Sequence, residues 1–173
     1  MIDKIFVVFA IVLACTSCVS IPEGATAVSP FDINQYKGTW YEIARMDLKF
    51  ERNLNNTTAT YTLKEDGTVE VKNRGYNYVK KEWTEVIGKA KFVGDHTKGR
   101  LKVSFFGPFY GAYNVIALDE DYQYALVAGG DVDYMWILSR ENSIPDTIKE
   151  NYLAKAKVLG FKTDELIWVE HEK

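Results

Sequence analysis

Cysteine and histidine are scarce in this chain. It has two cysteines, Cys15 and Cys18, and two histidines. Most zinc sites use several cysteine and histidine ligands, and this chain has too few of them. We therefore expect neither a metal nor another cofactor. The chain also has no excess of basic residues, because 21 basic and 24 acidic residues give it a net charge of −3. No basic stripe is present to neutralise a phosphate backbone, and we expect no nucleic-acid partner.

A long apolar run is also missing. The apolar run at residues 5–14 (IFVVFAIVLA), directly after Lys4, is only ten residues long. A bilayer span needs about 20 residues, whereas a charged start, a short apolar run and then small residues form a secretory signal. We therefore expect a signal peptide over residues 1–17, a lipidated tether over 18–30 and one folded domain over 31–173.

The cysteines follow this run directly, in a stretch that resembles a bacterial lipobox. Val12-Leu13-Ala14 precedes Cys15, and Cys15-Thr16-Ser17 precedes Cys18. Cleavage before Cys18 gives the longer leader and places small residues at the cut, so we favour Cys18 as the acylated residue, with Cys15 as the alternative. A CxxC redox pair is disfavoured because no βαβ pattern surrounds it. Two or more acyl chains would anchor the chain stably.

The rest of the chain alternates apolar and polar residues between turn signals, which predicts strands. The expected strands cover residues 40–45, 58–63, 69–73, 83–93, 101–106, 113–118, 124–128 and 134–139. One helix follows, with Ser143 as N-cap, Pro145 in the first turn and Gly160 at its end; residues 165–170 read as a short final strand. This order predicts an all-β fold, an eight-stranded antiparallel up-and-down barrel with one α-helix packed outside.

Three blocks of the sequence resemble the lipocalin family. Lys37–Arg45 (KGTWYEIAR) is similar to its opening GxW motif, Asn114–Val127 (NVIALDEDYQYALV) to its second block, and Trp136–Arg140 (WILSR) to its third. The resemblance covers residues 31–171 and is strongest to the bacterial outer-membrane branch, then to the apolipoprotein D-like branch. Val19 after Cys18, in place of an Asp that resembles an inner-membrane retention signal, also favours the outer membrane. The sequence itself leaves the membrane face open, and we expect the periplasmic one.

The resemblance implies that Trp40 closes the base of the barrel and that Arg140 stacks across it, as a structural latch. It also implies a binding protein, not an enzyme, for fatty acids or lysophospholipids, which it carries or scavenges in the bacterial envelope. Whether the protein forms a homodimer is left open by the sequence. Two alternatives remain: a lipocalin-fold enzyme acting on a lipid, which would need a nucleophile inside the barrel, and a fully packed barrel with a structural or interaction role.

Strand parity then predicts which residues face inward. If Trp40 and Arg140 face inward, the residues of the same parity on their two strands should face inward too: Glu42, Ala44, Tyr134, Trp136 and Leu138. The apolar positions of the other strands complete an apolar, aromatic interior: Ala59, Tyr61, Leu63, Val69, Val71, Asn73, Ala90, Phe92, Leu101, Val103, Phe105, Tyr113, Val115 and Ala117. We expect the residues nearest the open rim to contact ligand: Ala44, Phe105, Tyr113, Tyr134 and Trp136. The inward Glu42 is expected to be hydrogen-bonded near the base, and we expect no catalytic residue.

Overall fold

The computed structural model describes residues 19–172. The proposed acylation sites Cys18 and Cys15 and the expected signal peptide lie outside the described residues. The strands are β1 (Gly38–Arg45), β2 (Leu54–Leu63), β3 (Val69–Asn77), β4 (Glu82–Phe92), β5 (Arg100–Ser104), β6 (Gly111–Leu118), β7 (Tyr124–Ala128), β8 (Met135–Ser139) and β9 (Ile167–Trp168). The helices are α1 (Ile33–Tyr36) and α2 (Asp146–Val158), with a 3-10 helix at Thr163–Glu165.

The first eight strands form a closed antiparallel barrel, which confirms the predicted fold. Each strand pairs with the next along the chain, and β1 closes the ring by pairing with both β2 and β8. The short β9 pairs with β1 at Ala44 and Arg45, outside the ring. The predicted turn between β2 and β3 forms at Asp66 and Gly67: the Asp66 carboxylate accepts from the backbone and hydroxyl of Thr68, and Gly67 has a φ of 76°.

The ends of α2 differ in detail from the prediction. Tyr152 and Ala156 of the predicted apolar face are buried against the barrel wall, and Ile148 and Leu159 pack beside them. Ser143 is not the N-cap. Its carbonyl accepts from the Ser139 hydroxyl, and the extended Pro145 occupies the cap position with no side-chain hydrogen bond. The final strand, expected over residues 165–170, is shorter: Glu165 belongs to the 3-10 helix, and only Ile167 and Trp168 pair with β1.

Two apolar cores lie on opposite sides of the barrel wall. The inner core lies inside the barrel and includes Trp40, Tyr61, Val71, Val115 and Leu138. The outer core lies between the wall and α2, where Ile116, Leu126 and Ile137 pack against Tyr152 and Ala156. Among residues 19–172, no helix is long and apolar enough to cross a membrane.

β-Bulges in three strands, β1, β2 and β6, reverse the inward and outward faces within those strands. In β1 the register shifts between Glu42 and Ala44, and in β6 it shifts between Val115 and Ala117. Because a bulge inserts one extra residue, side chains beyond it change faces. The expected inward orientation of Ala44 and of Ala117 is therefore wrong: Ala44 lies in the outer core, and Ala117 packs against it.

The segment before α1 lies along the outer wall of the barrel. Its backbone bonds connect Val28 to Val115 and Phe31 to Thr97, and Pro22 is buried. At its start, the Ser20 hydroxyl donates to the carbonyl of Gly130 over 2.9 Å. The described part of the segment expected to act as a tether, residues 18–30, is thus bonded to the folded domain at Ser20 and at Val28.

Candidate functional site: a barrel closed at one end

One end of the barrel is closed by the side chains of Trp40 and Arg140. The guanidinium carbon of Arg140 lies 3.9 Å from the centre of the Trp40 ring. Arg140 also donates to backbone carbonyls of residues 35, 36, 37, 39 and 122, which joins α1 to β1 and to the turn between β6 and β7. The Trp40 indole donates to the Tyr36 carbonyl over 2.8 Å. Sequence reasoning anticipated this pair, and the structure brings the two residues into contact.

Three tyrosines form a floor above this closure. The Tyr113 hydroxyl lies 2.6 Å from that of Tyr36 and 2.7 Å from that of Tyr61. Burial raises the pKa of all three phenols, so they are neutral at physiological pH. A cavity of about 10 Å³ lies among them, with Val71, Ala90 and Leu101 on its walls. That volume suits at most one water molecule, so the closed end is packed.

The upper part of the barrel is open to solvent. Val86 lies opposite the inward Asn73 and therefore faces the interior, yet it is 37% exposed. The Phe105 ring lies across the backbone of Gly88: a methyl group added at Gly88 would come within 2.7 Å of that ring. Trp136 also packs at the edge of the inner core. Above the tyrosine floor the barrel is therefore lined by apolar and aromatic side chains and is reached by solvent at Val86. We call this upper part of the barrel interior the chamber.

A buried charged cluster lies on one wall of this chamber, consisting of Glu42, Arg45 and Glu51. The Arg45 guanidinium donates to the Glu42 carboxylate over 2.9 Å, and its Nε lies 3.8 Å from the Glu51 carboxylate. It also donates to the carbonyls of Glu51 and Leu54, which fixes the loop between β1 and β2. The Trp136 indole donates to Glu51 over 3.2 Å. All three charged side chains are buried.

The cluster holds two carboxylates against one cation, and burial controls their titration. Burial, followed by the charge of Glu51, raises the pKa of Glu42 to about 8, although Arg45 acts in the opposite direction. Burial likewise raises the pKa of Glu51. A proton on Glu42 leaves one carboxylate facing one guanidinium, so at neutral pH the cluster is close to electrically neutral.

The structure brings together only some of the residues expected to contact ligand. Phe105, Tyr113 and Trp136 belong to the inner core. Tyr113 reaches down to the floor and is not at the rim as expected. Tyr134 lies in the loop before β8, which begins at Met135, and its side chain is 41% exposed. Ala44 faces the outer core, as the bulge in β1 dictates.

Sequence reasoning missed Arg45 and Glu51. Alternation placed Arg45 on the outer face, and only the bulge turns it inward beside Glu42. Glu51 belongs to a loop, for which alternation gives no orientation. The expected inward position of Glu42 is correct, but its partner is Arg45 near the open end and not a group at the base.

The two histidines lie away from this chamber. His96 lies in the turn between β4 and β5 and stacks on Phe92. The Nε2 atom of His171 is hydrogen-bonded to the backbone carbonyl of Glu42 from outside the barrel. Within residues 19–172, no group of three or more histidine, cysteine or acidic side chains is placed to hold a metal ion.

Comparison with known proteins assigns this architecture to a family. Residues 31–171 match the family model described as a lipocalin-like domain. The chain is 54% identical over 160 residues to outer membrane lipoprotein Blc of Citrobacter freundii, covering 92% of this chain and 90% of that protein. It is 46% identical over 169 residues to the Vibrio cholerae protein of the same name, covering 97% of this chain and 98% of that one.

A solved structure of a distantly related sequence has a similar fold. Insecticyanin of the tobacco hornworm Manduca sexta superposes with a TM-score of 0.71, covering 89% of this chain and 88% of its own. At 19% identity, this likeness concerns the fold alone.

Proposed function

This chain belongs to the lipocalin family, and we propose that it is a lipid-binding lipoprotein of the bacterial outer membrane that holds single-chain lipids inside its barrel. The observation that carries this proposal is the asymmetry of the barrel. One end is closed by Trp40, Arg140 and the tyrosine floor, while solvent reaches Val86 at the other. A one-ended apolar chamber accepts an elongated apolar ligand end-on.

The proposed ligands are fatty acids and lysophospholipids, bound with the acyl tail inward. The tail would pass Trp136 and Phe105 and stop at the hydroxyls of Tyr61 and Tyr113, below which the barrel is packed. Each methylene group removed from water contributes about 0.8 kcal/mol. The polar headgroup would stay near the solvent-filled mouth, where it keeps its hydration.

The charged cluster is compatible with an acyl tail because its charges compensate one another. Arg45 is held by Glu42 and by two backbone carbonyls, and Glu51 accepts from Trp136. An isolated charge in this wall would strongly disfavour contact with methylene groups, whereas these charges face one another. Only the buried Nε of Arg45 has no hydrogen-bond partner in the cluster. The cluster holds the loop between β1 and β2 in place and leaves the opposite wall, with Phe105, free for the tail.

The proposed location rests on the lipobox and on the relatives. Acylation at Cys18, with Cys15 as the alternative site, would anchor the chain, and the relatives are named outer membrane lipoproteins. We place the domain on the periplasmic face, where it would carry or scavenge lipids released in the envelope. We propose that the chain binds its lipid and does not convert it chemically.

Native mass spectrometry tests this proposal directly. The purified chain is delipidated, refilled with palmitate or with lysophosphatidylethanolamine, and weighed under non-denaturing conditions. We expect one added lipid per chain for each compound, because the chamber has a single open end. A chain that keeps its folded charge-state distribution and takes up neither lipid would support the packed-barrel alternative and contradict the proposal.

A further inference from the structure

We propose that the outer wall formed by β3, β4 and β5 rests on the anionic surface of the bilayer that carries the anchor, so that the anchored barrel lies on its side. This inference rests on the proposed function for the anchor at Cys18 and for the location at the outer membrane. Its evidence is separate and comes from the charges of this wall, from two lysines that face each other within it, and from the path of the N-terminal segment.

Basic side chains are concentrated on the outer wall of these three strands. Their inner-core residues point into the barrel, so the alternate positions of the same strands point outward. The charged residues at the outward positions are Lys72, Arg74, Lys89, Lys91, Arg100 and Lys102, which are basic, and Glu70 and Glu85, which are acidic. We call this surface the basic face. Six basic residues share it with two acidic ones, although the chain as a whole has a net charge of −3.

Strand pairing assembles the basic face from residues that are far apart in the sequence. Along each strand the basic residues alternate with inward ones, which is why the sequence itself shows no basic stripe. Acidic side chains neutralise the face only in part. Lys72 lies 3.9 Å from Glu85, and Lys89 lies 3.8 Å from Asp66, with all four side chains accessible to solvent. Exposed ion pairs of this kind contribute little to stability.

Two lysines of the basic face lie directly opposite each other. Lys91 and Lys102 are aligned across the antiparallel pair of β4 and β5, and both point outward. Like charges in this position destabilise a sheet. Neither lysine takes part in an ion pair within residues 19–172. A local arrangement that costs stability is expected where function requires it, and anionic groups beside the two ammonium groups would remove the repulsion.

The N-terminal segment places the anchor beside the basic face. The carbonyl of Val19 accepts from the guanidinium of Arg100 on β5 over 2.9 Å, and the carbonyl of Ser20 accepts from Asn114 on β6. Followed toward its N-terminus, the chain therefore crosses from β6 to β5 and leads to the basic face. Cys18 directly precedes Val19, and consecutive Cα atoms are about 3.8 Å apart. Acyl chains attached to Cys18 would therefore leave the protein next to Arg100.

The opposite side of the barrel has a different charge. Helix α2 covers the outer wall there, where Ile116, Leu126 and Ile137 pack against it. The helix carries three lysines and two acidic residues, and residues 162–172 after it carry one lysine and four acidic residues. An anionic surface attracts lysine and arginine side chains that are held within about 8 Å of it. An anchor beside the basic face therefore turns this face, and not the side of α2, toward the headgroups.

Site-specific quenching tests the orientation. The acylated chain is placed in vesicles of phosphatidylethanolamine and phosphatidylglycerol that contain a lipid with a nitroxide on its headgroup. One fluorophore is attached at Ile87→Cys on the basic face or, as matched control, at Asn151→Cys on the exposed side of α2. We expect at least threefold stronger quenching at position 87. Equal quenching at the two positions, or stronger quenching at position 151, would overturn the proposal.

Vesicles of phosphatidylcholine alone supply the control for charge. We expect the difference between positions 87 and 151 to fall at least twofold in these vesicles, and to fall likewise in the anionic vesicles at about 0.5 M sodium chloride, which screens the attraction. A difference that neither change reduces would contradict docking by charge. Protection of position 87 that grows with the concentration of the chain, and not with anionic lipid, would assign the basic face to a second copy of the chain.

The variant Lys102→Glu tests the role of the two opposed lysines. It places a carboxylate opposite Lys91, so we expect higher stability in urea unfolding and at least twofold weaker quenching at position 87. Lys155→Glu makes the same change of charge at an exposed position of α2 and should leave the quenching unchanged. Full quenching at position 87 in Lys102→Glu would contradict docking by the basic face. Lower stability of this variant would contradict the repulsion between Lys91 and Lys102.

Fatty-acid titration in vesicle-free buffer separates this proposal from the proposed function. Lys102→Glu should bind a fluorescent fatty acid within twofold of the parent, because the basic face lies outside the barrel. A larger loss would contradict the separation of the docking surface from the chamber. Failure of the parent itself to bind would instead contradict the proposed function, and the quenching result would still decide how the anchored barrel lies.

Discussion

The guanidinium of Arg140 lies 3.9 Å above the ring of Trp40, and this contact joins the end of β8 to the beginning of β1. Trp40 is fully buried, while Arg140 links α1 to two parts of the barrel through backbone carbonyls. The pair therefore closes both the ring of strands and the floor of the chamber.

Truncation of this pair should destabilise the fold in a coupled way. Trp40→Ala should cost about 3–5 kcal/mol, the usual effect of deleting a large buried ring. Arg140→Ala should cost less, and a double-mutant cycle in urea should show an interaction energy, because each residue loses its partner. The exposed pair Arg74 and Trp83, with the same 3.9 Å separation, is the matched control. Its coupling should be smaller. Strictly additive losses for Trp40 and Arg140 would contradict the latch.

The buried carboxylate of Glu42 predicts how stability depends on pH. An unfolded glutamate loses its proton near pH 4.5, whereas burial holds the Glu42 proton until about pH 8. Between these values the folded chain binds more protons than the unfolded one, so this group makes the free energy of unfolding fall as pH rises. Glu42→Gln should flatten that slope, as measured by urea unfolding at several pH values. Glu51→Gln should act in the same direction, because burial raises its pKa too. An unchanged slope in Glu42→Gln would show that the carboxylate is charged throughout.

The close approach of Phe105 to Gly88 predicts a steric effect of one methyl group. In Gly88→Ala the new carbon would lie 2.7 Å from the Phe105 ring and 2.8 Å from the Ser104 carbonyl oxygen. One of these neighbours must move, so we expect lower thermal stability and altered fatty-acid affinity. Gly111→Ala is the control, since nothing lies within 4 Å of its added carbon. Equal behaviour of the two variants would mean that Phe105 does not pack on Gly88.

The choice of anchor residue is tested by labelling. Cys18→Ala should abolish incorporation of radioactive palmitate, because it removes the proposed acceptor, while Cys15→Ala should remain labelled. Label lost in the Cys15 variant and kept in the Cys18 variant would move the anchor to Cys15.

Alternation and turn chemistry predict the barrel well, because each strand buries one face and each turn carries its own signal. The Asp66-Gly67 turn and the α2 face with Tyr152 and Ala156 follow from local sequence. The bulge beside Ala44 could not be predicted, since an extra residue in a strand leaves no mark on alternation until the partner register is known.

The candidate site was less predictable than the fold for the same reason. The inward turn of Arg45 depends on that bulge, and the burial of Glu51 depends on a loop that folds back over the barrel wall. Ser20 and its neighbours resemble a linker in composition, yet they pack on the wall through long-range bonds to Gly130 and Asn114. Such contacts are set by the tertiary structure and not by local pattern.

The most direct test of the account is whether a charge placed inside the chamber expels an acyl tail. Trp136 lies at the edge of the inner core, beside Glu51, whereas Trp168 lies on the outer surface of the barrel. A fluorescent fatty acid is titrated into the parent chain, Trp136→Glu and the control Trp168→Glu, with circular dichroism on the same samples. We expect Trp136→Glu to keep its β-sheet spectrum and to lose at least tenfold in affinity, about 1.4 kcal/mol, while Trp168→Glu binds like the parent. Unchanged binding by a folded Trp136→Glu chain would contradict the claim that the barrel interior holds the lipid.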